Sequence, residues 1–81
     1  MKLGTLVRVS WIDSCGSGGW RPADVIAGAA GCTVCESIGW LARDDGREIV
    51  VAGHRSQSTD EYSGAMAIPR VAIKSIRRVR Q

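Results

Sequence analysis

Apolar and polar positions alternate from the start of the chain. Over residues 5–13, Val7, Val9 and Trp11 share one face and Arg8 and Ser10 the other, a period of two that predicts a first strand. Residues 13–19 (Asp-Ser-Cys-Gly-Ser-Gly-Gly) then read as a loop of small, turn-forming residues closed by Trp20. Pro22 suits a first helical position and Asp24 a first turn, so a helix of one or two turns is expected, kept short by Gly28 and Gly31. Residues 32–43 predict a longer strand with Val34, Ile38 and Trp40 on one face and a bulge or bend at Gly39. Asp44-Asp45-Gly46-Arg47 is a hairpin turn, and residues 48–52 return as a third strand. Residues 53–63 have no apolar period and are expected to form a mobile loop. A fourth strand covers 64–68 and stops at Pro69. Ile73 and Ile76, three apart, then fit a 3₁₀ turn running into a last short strand.

In this order the elements match an all-β fold, a small five-stranded SH3-like or Sm-like barrel with one short helix between strands 1 and 2. Closure would remove the edges that a small open sheet exposes. Trp11, Ile38, Trp40, Ile49, Val51, Met66, Ile68, Ile73 and Ile76 are the expected core. A length of 81 residues fits one domain, residues 1–81, with a thin core. The chain is 44 % hydrophobic and 23 % charged, a globular composition that argues against disorder. No apolar run reaches a membrane span, and the first four residues carry no secretory signature, so no membrane partner is expected. Three cysteines cannot pair fully, which points to a reducing, cytoplasmic setting.

Five pieces in series carry a resemblance: Trp11-Ile12-Asp13-Ser14, Gly19-Trp20, Ser37-Ile38-Gly39-Trp40-Leu41, Ile49-Val50-Val51-Ala52, and the run from Ile68 through Pro69 to Ile76. Together they resemble a family of small, mostly uncharacterised phage and prophage accessory proteins over nearly the whole chain. The resemblance implies a context, action inside the host bacterial cytoplasm, and no particular chemistry. The cysteines stand outside the family pattern.

Charge is distributed unevenly. Residues 70–81 hold Arg70, Lys74, Arg77, Arg78 and Arg80 with no acid, a net +5; residues 1–69 hold six bases and eight acids, a net −2. Such a basic edge suits phosphates, nucleic acid or an acidic protein, and it equally guards an edge strand against mispairing.

Few groups offer chemistry. Cys32 and Cys35 have the C-x-x-C spacing and, with Cys15 and His54, would make four zinc ligands. Residues three apart on a strand face opposite ways, however, so small buried hydrophobes are the preferred role and no metal or other cofactor is expected. His54 has Ser56, Ser58, Asp60 and Glu61 nearby but no nucleophile on a Gly-x-Ser-x-Gly elbow, so no enzyme is expected. The Gly/Ser loop lacks the Lys-Ser/Thr of a phosphate loop, although Ser14, Ser17 and Arg21 would suit an anion. Trp20 follows three glycines in four residues and is either a stacking surface or a lid. These features define a candidate ligand or partner site at Asp13, Ser14, Ser17, Trp20 and Arg21. The expected function is a non-enzymatic binding protein of phage origin that takes over a host factor or counters a defence, by gripping a host protein or sequestering a small nucleotide signal. The alternative is a nucleic-acid-binding barrel using the basic C-terminus. So small a core also leads one to expect a homo-oligomer, with end strands pairing across subunits near Arg77–Arg80.

Overall fold

The computed structural model describes residues 1–16, 18–29 and 31–80. Five antiparallel strands form one sheet: β1 (Leu6–Cys15), β2 (Gly31–Asp44), β3 (Glu48–Ser56), β4 (Glu61–Pro69) and β5 (Ile73–Arg78). A seven-residue helix α1 (Ala23–Ala29) joins β1 to β2, and a 3₁₀ turn η1 (Arg70–Ala72) joins β4 to β5. The strand order is β4-β3-β2-β1-β5, leaving β4 and β5 as the two edges with no ladder between them. No described helix is long and apolar enough to cross a membrane.

The core sits at one end of this sheet. Val7 and Val9 of β1, Leu41 of β2, Ile49, Val51 and Ala52 of β3, and Ile68 of β4 are buried, with Trp11, Ile73 and Ile76 packed against them. The face of β1 shared by Val7, Val9 and Trp11 is thus the inward one. In β2 the face shared by Val34, Glu36, Ile38 and Trp40 is the outer one; Leu41 supplies the core contact, and Ile38 is 60 % exposed. Met66, expected in the core, lies on an edge strand and is exposed.

Three expectations need correction. Residues 53–63 are not a loop: His54, Arg55 and Ser56 pair with Ser63, Tyr62 and Glu61, and only 57–60 turn. The Asp60 N–H donates to the Ser56 carbonyl at 2.8 Å, with Asp60 in the left-handed region that Asp tolerates. This ribbon buries neither face, so it leaves no apolar period to read. The 3₁₀ turn occupies Arg70–Ala72, ahead of Ile73 and Ile76. Those two face inward together because β5 is bulged at Lys74: Trp11 opposes Ile73, and the next pair is Ser10 with Ser75. Gly39, finally, is not a bulge, since β1 and β2 stay in register from Gly31 to Trp40. The irregularity in β2 lies between Leu41 and Arg43. Gly39 is required by close approach, because a Cβ there would sit 2.6 Å from the Ala52 carbonyl oxygen.

The turn at 44–47 is built as its residues dictate. Gly46 takes a positive φ of 83°, and Asp45 Oδ1 accepts the N–H groups of Arg47 at 3.0 Å and Glu48 at 2.9 Å. Arg70 locks η1 to this turn, donating its backbone N–H to the Arg47 carbonyl (2.9 Å) and its guanidinium to Asp44 (2.5 Å).

Candidate functional site: the projecting β1–β2 arm

Pairing with β5 ends at Trp11–Ile73, and pairing of β2 with β3 begins only at Trp40–Ala52. Beyond Trp11, then, β1 and β2 continue as a two-stranded ribbon without a third strand, through Ile12–Val34, Asp13–Thr33, Ser14–Cys32 and Cys15–Gly31. The ribbon and α1 form an arm, and the molecule measures 53 × 22 × 22 Å along its principal axes. Its radius of gyration is 16.1 Å, against about 12 Å for a compact chain of this length.

Most of the candidate ligand site lies on this arm. Asp13 is half-buried and Ser14 exposed at the far end of β1. Ser17 lies outside the described residues. Gly19 has φ +87° and turns the chain so that Trp20 stands free, 104 % exposed, with Arg21 exposed beside it. The Pro22 carbonyl then accepts the N–H groups of Val25 and Ile26, both at 3.1 Å, and starts α1. Trp20 is thus no lid over the core. Asp13, Ser14, Trp20 and Arg21 line none of the clefts on the β3–β4 ribbon, the β5–β1–β2 face, the N-terminal segment and the 45–48 turn.

A cleft of about 550 Å³ lies on the β3–β4 ribbon and is lined by His54, Arg55, Ser56, Thr59, Glu61, Tyr62 and Ser63. Tyr62 meets Trp40 edge-on with ring centroids 6.4 Å apart, and the Arg55 guanidinium lies 5.8 Å from the Tyr62 centroid. Arg55 also donates to Asp60 at 3.0 and 3.2 Å, so this carboxylate is held by arginine rather than by His54. The aromatic cluster was not foreseen, because its partners come from three strands.

On the outer face of β5, β1 and β2, a groove of about 310 Å³ is lined by Arg8, Ser10, Glu36, Ser75 and Arg77. Arg8 and Arg77 are directly opposed across the ladder, and Arg8 donates to Glu36 Oε2 through Nε (3.2 Å) and Nη2 (2.5 Å). Of the basic edge, Arg70 is committed to Asp44, whereas Lys74, Arg77, Arg78 and Arg80 have no carboxylate within 4.0 Å among the described residues.

The regular register of β2 puts Cys32 and Cys35 on opposite faces, opposite Ser14 and Trp11 respectively, while His54 belongs to β3. All three cysteines are free, and among the described residues no three metal-ligating side chains converge.

Sequence reasoning grouped Val34 with Ile38 and Trp40 but passed over Ile12, and the two form a directly opposed apolar pair on the outer face of the arm. Its signal was available: Ile12 is out of phase with Val7, Val9 and Trp11, an apolar residue on the face of Arg8 and Ser10. Scans against family models, curated proteins and solved structures find no match to this chain.

Proposed function

We propose that this chain is a non-enzymatic binding protein of phage origin that grips a bacterial host protein, with the β1–β2 arm as the gripping limb and Trp20 as its anchor. The observation that carries this reading is the fully exposed Trp20 at the end of an arm remote from the core. Tryptophan is the residue type most enriched among energetic anchors, and a ring held clear of its own protein is available to a partner's pocket. A macromolecular partner fits better than a small nucleotide, because small ligands need a concave site enclosing most of their surface, whereas the Trp20 ring stands fully exposed. The sheet is read as the wall of an SH3-like barrel. The strand order supports this, as does the three-residue η1 that links the two edge strands directly.

The test is quantitative capture from a bacterial host lysate, with wild type and Trp20→Ala as baits and Tyr62→Ala as control. A protein retained by wild type and the control, and lost with Trp20→Ala, is the expected result. Equal retention by all three baits, or none by wild type, overturns the proposal. Trp20 is free of contacts, so the substitution should change stability by only about 0.5 kcal/mol or less.

A second reading is nucleic-acid binding along β5, supported by the side chains of Lys74, Arg77 and Arg78, which lack acidic partners on an edge strand. It requires affinity that falls steeply with salt and is lost on charge reversal of Arg77 and Arg78. A gel-shift titration lacking both features removes it.

A further inference from the structure

The arm is made of parts that do not stand well alone in water. A two-stranded ribbon without a third strand is marginal, and so is a helix of two turns. Yet α1 has no buried residue and no extended packing against any strand, and its Val25 and Ile26 remain over 40 % exposed. On the ribbon, Ile12 and Val34 oppose each other on the outer face, with Val34 55 % exposed. Around them that face presents Ser10, Ser14 and Cys32, so the stripe is free of charge until Glu36, which Arg8 already holds. Apolar centres depleted of charge are characteristic of protein interfaces.

The exposed area is large enough for a second copy, and the charge pattern favours one. The chain exposes 6028 Å², whereas the scaling for compact monomers gives about 4,700 Å² at 8.7 kDa. The surplus, about 1,300 Å² over the whole chain with the arm and the β3–β4 ribbon together, exceeds the roughly 800 Å² per partner of a standard transient complex and leaves room for an interface of homodimer size. The edge strand β5 is a poorer place for self-association, because Arg77 and Arg78 would face their like from a second chain. A neutral stripe lets two chains of net charge +3 approach without that penalty.

We infer that the outer face of the β1–β2 arm, centred on Ile12 and Val34, is the interface of a homodimer in which two arms cover each other. This goes beyond the host-binding proposal and does not depend on it, since Trp20 at the arm's end is left for another partner.

Light-scattering mass determination and sedimentation velocity under reducing conditions test it, using the full chain and its Ile12→Asp, Val34→Asp, Trp20→Ala and Val71→Asp variants. Wild type should run at twice the 8.7 kDa chain mass. Ile12→Asp and Val34→Asp should run at the single mass with β-sheet circular dichroism intact. Trp20→Ala should stay dimeric, as should Val71→Asp, which alters a side chain 97 % exposed on η1 rather than on the outer face of the ribbon. A wild type that is monomeric across the micromolar range, or arm variants that stay dimeric, overturns the inference. Should the arm variants unfold, wild-type hydrogen exchange decides the matter. Amides of residues 11–15 and 31–36 should lose protection on dilution while those of Leu41 and Val51 keep theirs; protection independent of concentration refutes the dimer.

Discussion

Replacing Gly39 with alanine should be among the most damaging single-methyl changes this chain can suffer. The added Cβ would lie 2.6 Å from the Ala52 carbonyl oxygen and 3.1 Å from its carbon, where ordinary contact begins at 3.4 Å. The obstructing atoms are backbone, and Ala52 and its neighbour Val51 are both buried, so no rotamer change relieves the overlap. β3 must move away from β2 by about 0.8 Å at the point where their ladder begins, between Trp40 and Ala52. Overpacking of this kind costs about 1–3 kcal/mol, and a backbone obstruction belongs at the upper end. At about 4–8 °C per kcal/mol for a domain of this size, the melting temperature should fall by about 12–24 °C. Urea unfolding followed by circular dichroism measures the loss directly. Gly28→Ala is the internal control: it lies within α1 with nothing within 4 Å of the new methyl, so it should be neutral or stabilising by up to about 1 kcal/mol. A Gly39→Ala protein within about 0.5 kcal/mol of wild type, well inside the range of unconstrained surface changes, would refute the close approach of β2 and β3.

Other outcomes follow from the same geometry. Ile49→Ala and Ile68→Ala, which truncate fully buried and directly paired residues, should each cost about 2–5 kcal/mol by urea unfolding; losses below about 1 kcal/mol would show that the core lies elsewhere. Asp44 is held below the ordinary carboxylate range by its bond from the Arg70 guanidinium and then by the Gly46 N–H; Asp45 is lowered by the N–H groups of Glu48 and then Arg47. Depressed folded values mean that the unfolded chain takes up protons first. The stabilisation is therefore complete above the unfolded value of about 3.9 and fades as pH falls through the folded ones. The gap between wild type and Asp45→Asn should accordingly close on acidification below about pH 4, whereas a gap independent of pH would contradict the turn geometry.

Much of this fold could be read from the chain because local chemistry and tertiary structure agree there. The β1 alternation, the Asp44–Arg47 turn and a short helix after Pro22 each follow from a pattern spanning a few residues. Alternation does not say which face is inward, however, and in β2 the correctly grouped Val34, Ile38 and Trp40 lie outside while Leu41 points to the core. The β3–β4 ribbon was invisible because it buries neither face. The arm escaped for a related reason: where β1 outruns β5, and β2 outruns β3, depends on strand pairing across the whole sheet. As for the candidate site, Trp20 and Arg21 were identified from the glycines before them. Ile12 and Val34 gain meaning only once they are known to be opposed and uncovered.

If the arm serves binding as proposed, the fold must be complete without it. The most direct test is the amide NMR spectrum of a shortened chain in which residues 12–34 are replaced by an Asn-Gly turn joining Trp11 to Cys35, which are paired across the ladder. Resonances of Val7, Val9, Leu41, Ile49, Val51 and Ile68 should stay dispersed and close to their positions in the full-length protein. Collapse of those signals into the narrow range of an unfolded chain would show that the arm is part of what holds the fold together, and would contradict the account.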